Sequence, residues 1–348
     1  MPSMNSDQLF GLAERILRAA DVSSHEARIV AHELREANLV GHDSHGVMRL
    51  MQYAGNIKDG YIRPGAAFEV VREAAAYAVV NGNFNFGQVT ANRSLELGIQ
   101  KATSAGTATV VVRNCNHIGR LGSYAHKAAE QGLVCVMVAN APGPGGVAPY
   151  GGIERRLGTN PVTMAAPYGR GAVVLDMTTS ATAEGKLRVA HQKGESVPEG
   201  MIIDGHGLPS TDPATYYGDP PGALLPLGGP LGFKGFGLAV MVDVLGGMLS
   251  GSGVCRTDLP RGANGVWMYL ADPNAMMTRT AFDELMSTYV ASIKSSQRLP
   301  GVDEILMPGE IELRRREERQ RDGVVIPDET WRQLNVLAAE LGCVIDDI

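Results

Sequence analysis

Paired cysteines, a positive charge balance and long apolar runs are what this sequence lacks, and each absence removes a class of function. The four cysteines, Cys115, Cys135, Cys255 and Cys343, are widely spaced with no C-x-x-C pair. Neither a zinc knuckle nor a disulfide framework is expected, and a reducing compartment fits. A formal net charge of -6 offers no general attraction to phosphate backbones or anionic lipid, which sets nucleic acid aside as a partner. No window approaches about 18 uncharged apolar residues, and Met1 to Gln8 hold no basic stretch ahead of an apolar one. The expectation is a cytoplasmic protein with no membrane partner.

Glycine is what the chain has in quantity, 43 in all, clustered at 143–152, 205–207, 222–237 and 246–253 without forming a repeat. Such clusters imply tight turns and close backbone approaches around one site. At 348 residues, with roughly 150 per domain, two domains are expected.

The organising stretch is Asn116-His117-Ile118-Gly119-Arg120-Leu121-Gly122, which lies between two apolar runs, Thr107 to Arg113 and Leu133 to Ala139, that read as buried strands. Ser123 to Gln131 reads as the helix joining them. A histidine at the mouth of a strand, beside glycines that admit a ligand, is placed for proton transfer. It can equally be a hydrogen-bonded structural residue.

Leu9, Leu12, Ile16 and Leu17 behind Ser6/Asp7, and Ala27, Val30, Leu34 and Ala37 behind Ser24, have the spacing of two amphipathic helices. After Gly41, His42-Asp43-Ser44-His45-Gly46 leads into a third helix. On it His45, Arg49 and Tyr53, each four apart, share one stripe. That stripe is either a solvated face or a histidine, a guanidinium and a phenol offered to one neighbour. His42, Asp43 and His45 lack the i, i+4 histidine pair of a zinc helix. From Phe68 the period changes to strand, helix, strand, helix, strand as far as Ala139, with a domain boundary near Arg63-Pro64-Gly65.

Gly143 to Ala148 satisfies G-x-G-x-x-[GA], but Pro144 and Pro149 frame it and no helix can start there, so it is not a Rossmann phosphate loop. Ala172 to Met177 is a strand ending on Asp176, followed by hydroxyls, the usual sign of an acid that caps a helix. Ile202 to Pro209 reads as a hairpin. The glycine-rich run ending at Lys234-Gly235 leads into an apolar helix, Leu238 to Leu249, whose start could present Lys234 to an anion. Val266 to Leu270 is a late strand, Phe282 to Ile293 a helix and Arg314 to Arg321 a solvated helix. A last amphipathic helix, Trp331 to Leu341, is expected to pack on the opening ones.

Taken together, Gly41 to Gly46, Asn116 to Arg120, Leu157 to Pro161, Asp176 to Ser180, Gly185-Lys186, Lys234 to Leu238 and Pro308 to Glu310 resemble the malate/L-lactate dehydrogenase family from nearly end to end. This family is non-Rossmann, and it also contains ureidoglycolate, sulfolactate and diketogulonate oxidoreductases and a cyclic-imine carboxylate reductase. The surroundings of Arg188 to Gly194 and of Arg314 to Arg321 look most like its hydroxycarboxylate dehydrogenase B branch.

The resemblance implies an α/β fold with a mixed, largely antiparallel sheet flanked by helices. Residues 71–299 would form a cofactor-binding and dimerisation domain, and 1–70 with 300–348 a helical substrate-side domain. It implies a homodimeric oxidoreductase that uses NAD or NADP on small 2-hydroxy and 2-oxo acids. His117 would be the general acid/base and Arg49 the carboxylate clamp, with Ser44 and Tyr53 as further pocket groups. His45 would face the nicotinamide. Gly119, Arg120, Leu121, Val174, Leu175, Asp176, Met177, Thr178, Phe233, Lys234, Gly309, Glu310, Ile311 and Glu312 would line the dinucleotide.

Reduction of a 2-oxo acid needs a proton for the forming alkoxide and a cation for the carboxylate, and His117 and Arg49 match both needs. The stiff Ala141-Pro142-Gly143-Pro144 loop and Thr178 depart from the family pattern. A reading from another class is a metal-dependent hydrolase or lyase using His42, Asp43, His45 and His117.

Overall fold

The computed structural model describes residues 2–256 and 263–343. In chain order its elements are β1 (Ser3–Met4), α1 (Ser6–Ala19), α2 (Ser24–Leu39), α3 (Leu50–Lys58), β2 (Glu69–Ala74), β3 (Tyr77–Asn81), α4 (Gly87–Ala105), β4 (Thr107–Cys115), α5 (Gly122–Glu130), β5 (Val134–Asn140), β6 (Val162–Tyr168), β7 (Gly171–Met177) and α6 (Glu184–Lys193). There follow β8 (Ile202–Ile203), β9 (Pro209–Ser210), β10 (Ala223–Leu224), α7 (Phe233–Val242), β11 (Asn264–Ala271), α8 (Arg279–Lys294), α9 (Glu310–Asp322), β12 (Val324–Val325) and α10 (Asp328–Glu340).

Seven strands form the main sheet in the order β2-β3-β4-β11-β5-β6-β7, and only the β3–β4 pair is parallel. The sheet is therefore mixed and largely antiparallel, as the resemblance implied. Because β11 lies antiparallel between β4 and β5, those two strands run the same way and end on one edge of the sheet. The start of β6 and the end of β7 reach that edge too, through the pair Val162–Met177. Five strand ends thus converge where His117, Asn140, Pro161, Asp176 and Asn264 stand.

One face of the sheet is packed by α4 and α5. Period-two side chains of the strands, Val110 and Val112, Met268 and Leu270, Cys135 and Met137, meet Leu95, Tyr124 and Ala125 in a common core. A second core joins Leu9, Leu12, Ile16, Val30 and Leu34 to Leu334 and Ala338 of α10. Each of these fully buried Leu or Ile side chains stabilises the fold by about 1.5–3 kcal/mol. The start of α1 is set by Asn5, not by Ser6/Asp7: its side chain accepts from Asp7 and Gln8, and Gln8 reciprocates in a capping box. The apolar helix after the glycine-rich run begins at Phe233 rather than Leu238 and continues into a π-helical turn, Asp243–Met248.

The expected third helix carrying His45, Arg49 and Tyr53 is broken. Asp43–His45 and Val47–Arg49 are separate 3-10 turns, and α3 begins only at Leu50. The cause is Asn38. Its Oδ1 accepts from Val47 N at 2.9 Å and would lie 2.2 Å from any Cβ on Gly46, so the chain passes Gly46 extended.

Candidate functional site

His117 follows the end of β4 and is held from both sides. Asn116 donates through Nδ2 to the carbonyls of Tyr61, Phe84 and Asn85 at 2.8–3.1 Å, and Ile118 N donates to Asn264 Oδ1 at 3.0 Å. The first turn of α4 presses on the same peptide: a Cβ at Gly87 would stand 2.3 Å from His117 O. Glycine is required there for close approach.

The His117 ring is hydrogen-bonded through Nδ1 to Tyr53 Oη at 2.8 Å, and Gln88 Nε2 donates to the same Oη at 2.6 Å. On its other side His45 stacks with ring centroids 5.4 Å apart, and His45 Nδ1 meets Ser44 Oγ at 3.1 Å. Arg49 donates through Nε to Ser44 O and through Nη1 to Gln52 Oε1, both at 2.6 Å. The broken helix thus still delivers Ser44, His45, Arg49 and Tyr53 to His117, by three short elements instead of one stripe.

These groups close one end of a cavity of about 860 Å³. Ser44, His45, Arg49, His117, Gly119, Arg120, Leu121, Asp176, Met177 and Thr178 all line it, while Tyr53 lies beneath, fully buried. Asp176 Oδ2 accepts from Gly122 N at 3.0 Å and stands 3.2 Å from Arg120 Nε. It therefore caps α5 across the sheet edge, not the helix that follows it in sequence.

The other residues that the resemblance assigned to the cofactor do not line this cavity. Val174 N donates to Pro308 O, and Thr163 Oγ1 donates to Leu175 O. Gly309 packs on Val174. Glu310 is engaged by Lys294 and Met307 N, Glu312 meets His42 at 3.5 Å, and Ile311 is exposed. Phe233 lies edge-on to Tyr150 and Lys234 is exposed on the first turn of α7.

Withdrawal from solvent dominates the electrostatics. It pushes His45 down to about 3, with Arg49, His42 and Arg120 adding to the effect. His117 is held well below its ordinary value by the same desolvation and then by Arg49 and His45. Burial raises Tyr53 to about 12. Both histidines are therefore neutral near pH 7. The fixed cation at this end is Arg49, which forms no ion pair among the described residues.

Gln88, Asn264 and the α6 residues Lys186 and Arg188 on the cavity wall were not singled out as site residues from the sequence. The Gly87-Gln88 helix start was a usable signal, since glycine at such a position marks close backbone contact. The metal reading loses its donors: Asp43 is held by Arg319 at 2.7 and 3.0 Å and by Asn38 at 2.7 Å. Among the described residues no group of three His, Cys, Asp or Glu could hold a metal ion.

Residues 4–335 match the family model for malate/L-lactate dehydrogenase. The chain belongs to this family. Within this family of oxidoreductases it is 38% identical to the malate dehydrogenase of Pyrococcus horikoshii over 344 residues, 97% of this chain and 94% of that one. It is 34% identical to hydroxycarboxylate dehydrogenase B of Escherichia coli over 350 residues, again 97% and 94% of the two chains. A solved structure of a putative malate/lactate dehydrogenase from E. coli superposes with a TM-score of 0.93 at 32% identity, covering 99% of this chain and 96% of that one. Membership accounts for a sheet on which no Rossmann loop is built: Gly143 to Gly146 line the cavity wall as a turn and no helix follows them.

Proposed function

We propose that this protein interconverts small 2-hydroxy and 2-oxo acids with NAD or NADP, His117 exchanging the proton at the substrate oxygen and Arg49 holding the carboxylate. The observation that carries this reading is the Arg49 guanidinium, largely withdrawn from solvent, in no ion pair among the described residues although the Glu184 charge acts on it from the same cavity wall, and beside a neutral histidine. An unpaired cation in such a place is costly until an anion meets it. A carboxylate is matched by the planar guanidinium fork, which would fix the acid with its 2-position toward His117.

The residues fit a nicotinamide dinucleotide. The cavity extends from His45 past Arg120 and Asp176 to Thr178, and Arg120 Nε is buried without a hydrogen-bond partner although Asp176 stands near. His45 would lie against the nicotinamide, and Gly119, Arg120, Leu121, Asp176, Met177 and Thr178 would hold the rest. Val174, Leu175 and Gly309 to Glu312 would support that wall from behind. Phe233 and Lys234 would reach the dinucleotide only at its outer end. When bound, the cofactor supplies the hydride.

A homodimer is part of the reading. Met241, Met248 and Leu249 around the π-helical turn, with Leu285 and Tyr289 on α8, are exposed at 51–61%, and exposed apolar surface of this kind marks an interface.

The test is the absorbance of NADH and of NADPH, separately, against pyruvate, oxaloacetate, phenylpyruvate and a cyclic imine carboxylate. Oxidation of either cofactor by a 2-oxo acid is expected. Turnover of the imine alone would move the assignment to imine reduction, and silence with no cofactor binding would overturn it.

A further inference from the structure

The bond between Tyr53 and His117 leaves one question of direction, and Gln88 answers it. Tyr53 Oη has two hydrogen-bond partners among the described residues, His117 Nδ1 and Gln88 Nε2, and its hydroxyl has a single hydrogen to give. With Gln88 donating, that hydrogen goes to His117 Nδ1, and the neutral ring carries its own proton on Nε2, the nitrogen left for the cavity. In this form His117 cannot take a proton at Nε2, and giving one up would leave an imidazolate.

Rotation of the Gln88 amide exchanges Nε2 for Oε1 in nearly the same shape. The chain then runs from His117 Nδ1–H to Tyr53 Oη and from Tyr53 O–H to Gln88 Oε1. Nδ1 keeps its proton whether the ring is neutral or charged, and Nε2 is free to accept the substrate proton or return it. In that cycle the protons on His117 Nδ1 and Tyr53 Oη stay in place, and only the Nε2 proton is exchanged, with the substrate oxygen. Two facts favour an amide that turns: Gln88 is fully buried, and its Oε1 has no hydrogen-bond partner in the orientation observed. A buried amide end left unpaired carries a desolvation cost, and turning pairs Oε1 while leaving Nε2 as the unpaired end, so neither orientation satisfies both ends and the two can exchange.

We propose that Gln88 is a positioning residue whose amide orientation, acting through Tyr53, decides which nitrogen of His117 holds the proton. This rests on the proposed role of His117. The charged and titratable groups facing His117 are Arg49 and His45 from the turns before α3 and Tyr53 from α3 itself. Arg120 and His42 act on His45. Gln88 from α4 is an uncharged group whose amide can present either a donor or an acceptor to Tyr53.

Two substitutions separate this from packing. Gln88→Glu, as the carboxylate, supplies an acceptor only and locks the second direction, whereas Gln88→Met keeps the volume and removes both functions. The expected order of kcat in 2-oxo acid reduction is Glu well above Met. The Glu variant should stay within about tenfold of the unsubstituted protein with its basic pH limb moved up by about one unit, and the Met variant should fall about 10²-fold. A packing role predicts the reverse order, because a buried carboxylate is worse tolerated than a thioether.

Nitrogen-15 shifts of the His117 ring in ligand-free protein, assigned by comparison with His117→Asn, read the same point without turnover. Nε2–H is expected in the unsubstituted protein and Nδ1–H in Gln88→Glu. If Gln88→Glu does not fold, Tyr53→Phe serves, and it should abolish the Nε2–H preference. The same tautomer in all variants, or Met at least as active as Glu with superimposable pH profiles, overturns the proposal. Absence of turnover with every 2-oxo acid overturns the functional reading instead, and the ring shifts still decide the role of Gln88.

Discussion

His117 Nδ1 and Tyr53 Oη lie 2.8 Å apart although 64 positions separate them in the chain, and this contact joins the helical core to the edge of the sheet. It ties the ring proposed to exchange the proton to a residue anchored on a different core, so the site exists only when both cores are formed and docked.

Replacing His117 by Asn should reduce turnover by about two to four decades, the usual contribution of a positioned acid/base, while cofactor binding is retained. Steady-state kinetics beside cofactor fluorescence check this. Turnover near that of the unsubstituted protein would remove His117 from the proposed chemistry.

Arg49→Lys keeps the charge and loses the fork. A charge-assisted hydrogen bond contributes about 1.5–3 kcal/mol, so KM for the 2-oxo acid should rise by roughly ten- to a hundredfold with a smaller change in kcat. An unchanged KM would place the carboxylate elsewhere, with Lys186 and Arg188 as the next cations on the cavity wall.

Acid should destabilise the fold from about pH 6.5 downward. His45 and His117 both titrate lower in the folded protein than in the unfolded chain, whose histidines have a pKa near 6.5. Above that pH neither state is protonated and they contribute nothing. Below it the unfolded chain takes up protons that the fold refuses, so stability falls as the pH falls, for His45 until about 3. Each histidine contributes up to about 1.4 kcal/mol per pH unit. Urea denaturation between pH 7.5 and 5.5 should show the slope, and His117→Asn should reduce it by about half. Glu33, whose carboxylate is held below its ordinary range by hydrogen bonds from His32, Lys127 and Ser123 that outweigh its desolvation, stays charged throughout that window and does not enter.

Gly87→Ala sets two effects against each other. Alanine is the better helix former by about 1 kcal/mol, but its Cβ would lie 2.2 Å from Asn116 O and must displace backbone. We expect the clash to win, with a net loss of about 1–3 kcal/mol and a larger loss of activity because His117 itself moves. A stabilised, fully active variant would show that the peptide before His117 has room to yield.

The sequence by itself determined the elements whose signal is local. Apolar runs at Thr107 and Leu133 became β4 and β5, helical spacing at Leu9 and Val30 became α1 and α2, and the prolines around Gly143 ruled out a phosphate-binding helix. It also pointed to His117, because a histidine after a buried strand is visible without the fold.

What only the tertiary structure decided is who meets whom. Side chains four apart on a presumed helix suggested one stripe, but a hydrogen bond from Val47 to Asn38 nine residues away breaks that helix at Gly46 and re-aims each residue separately. The capping acid Asp176 serves a helix that precedes it by 54 residues, and Gln88 reads as an ordinary polar helix residue until burial leaves its amide, among the described residues, only Tyr53 to bond. Periodicity is written by neighbours in the chain, whereas a site is assembled by strand order, and it is the insertion of β11 between β4 and β5 that carries these residues to one edge.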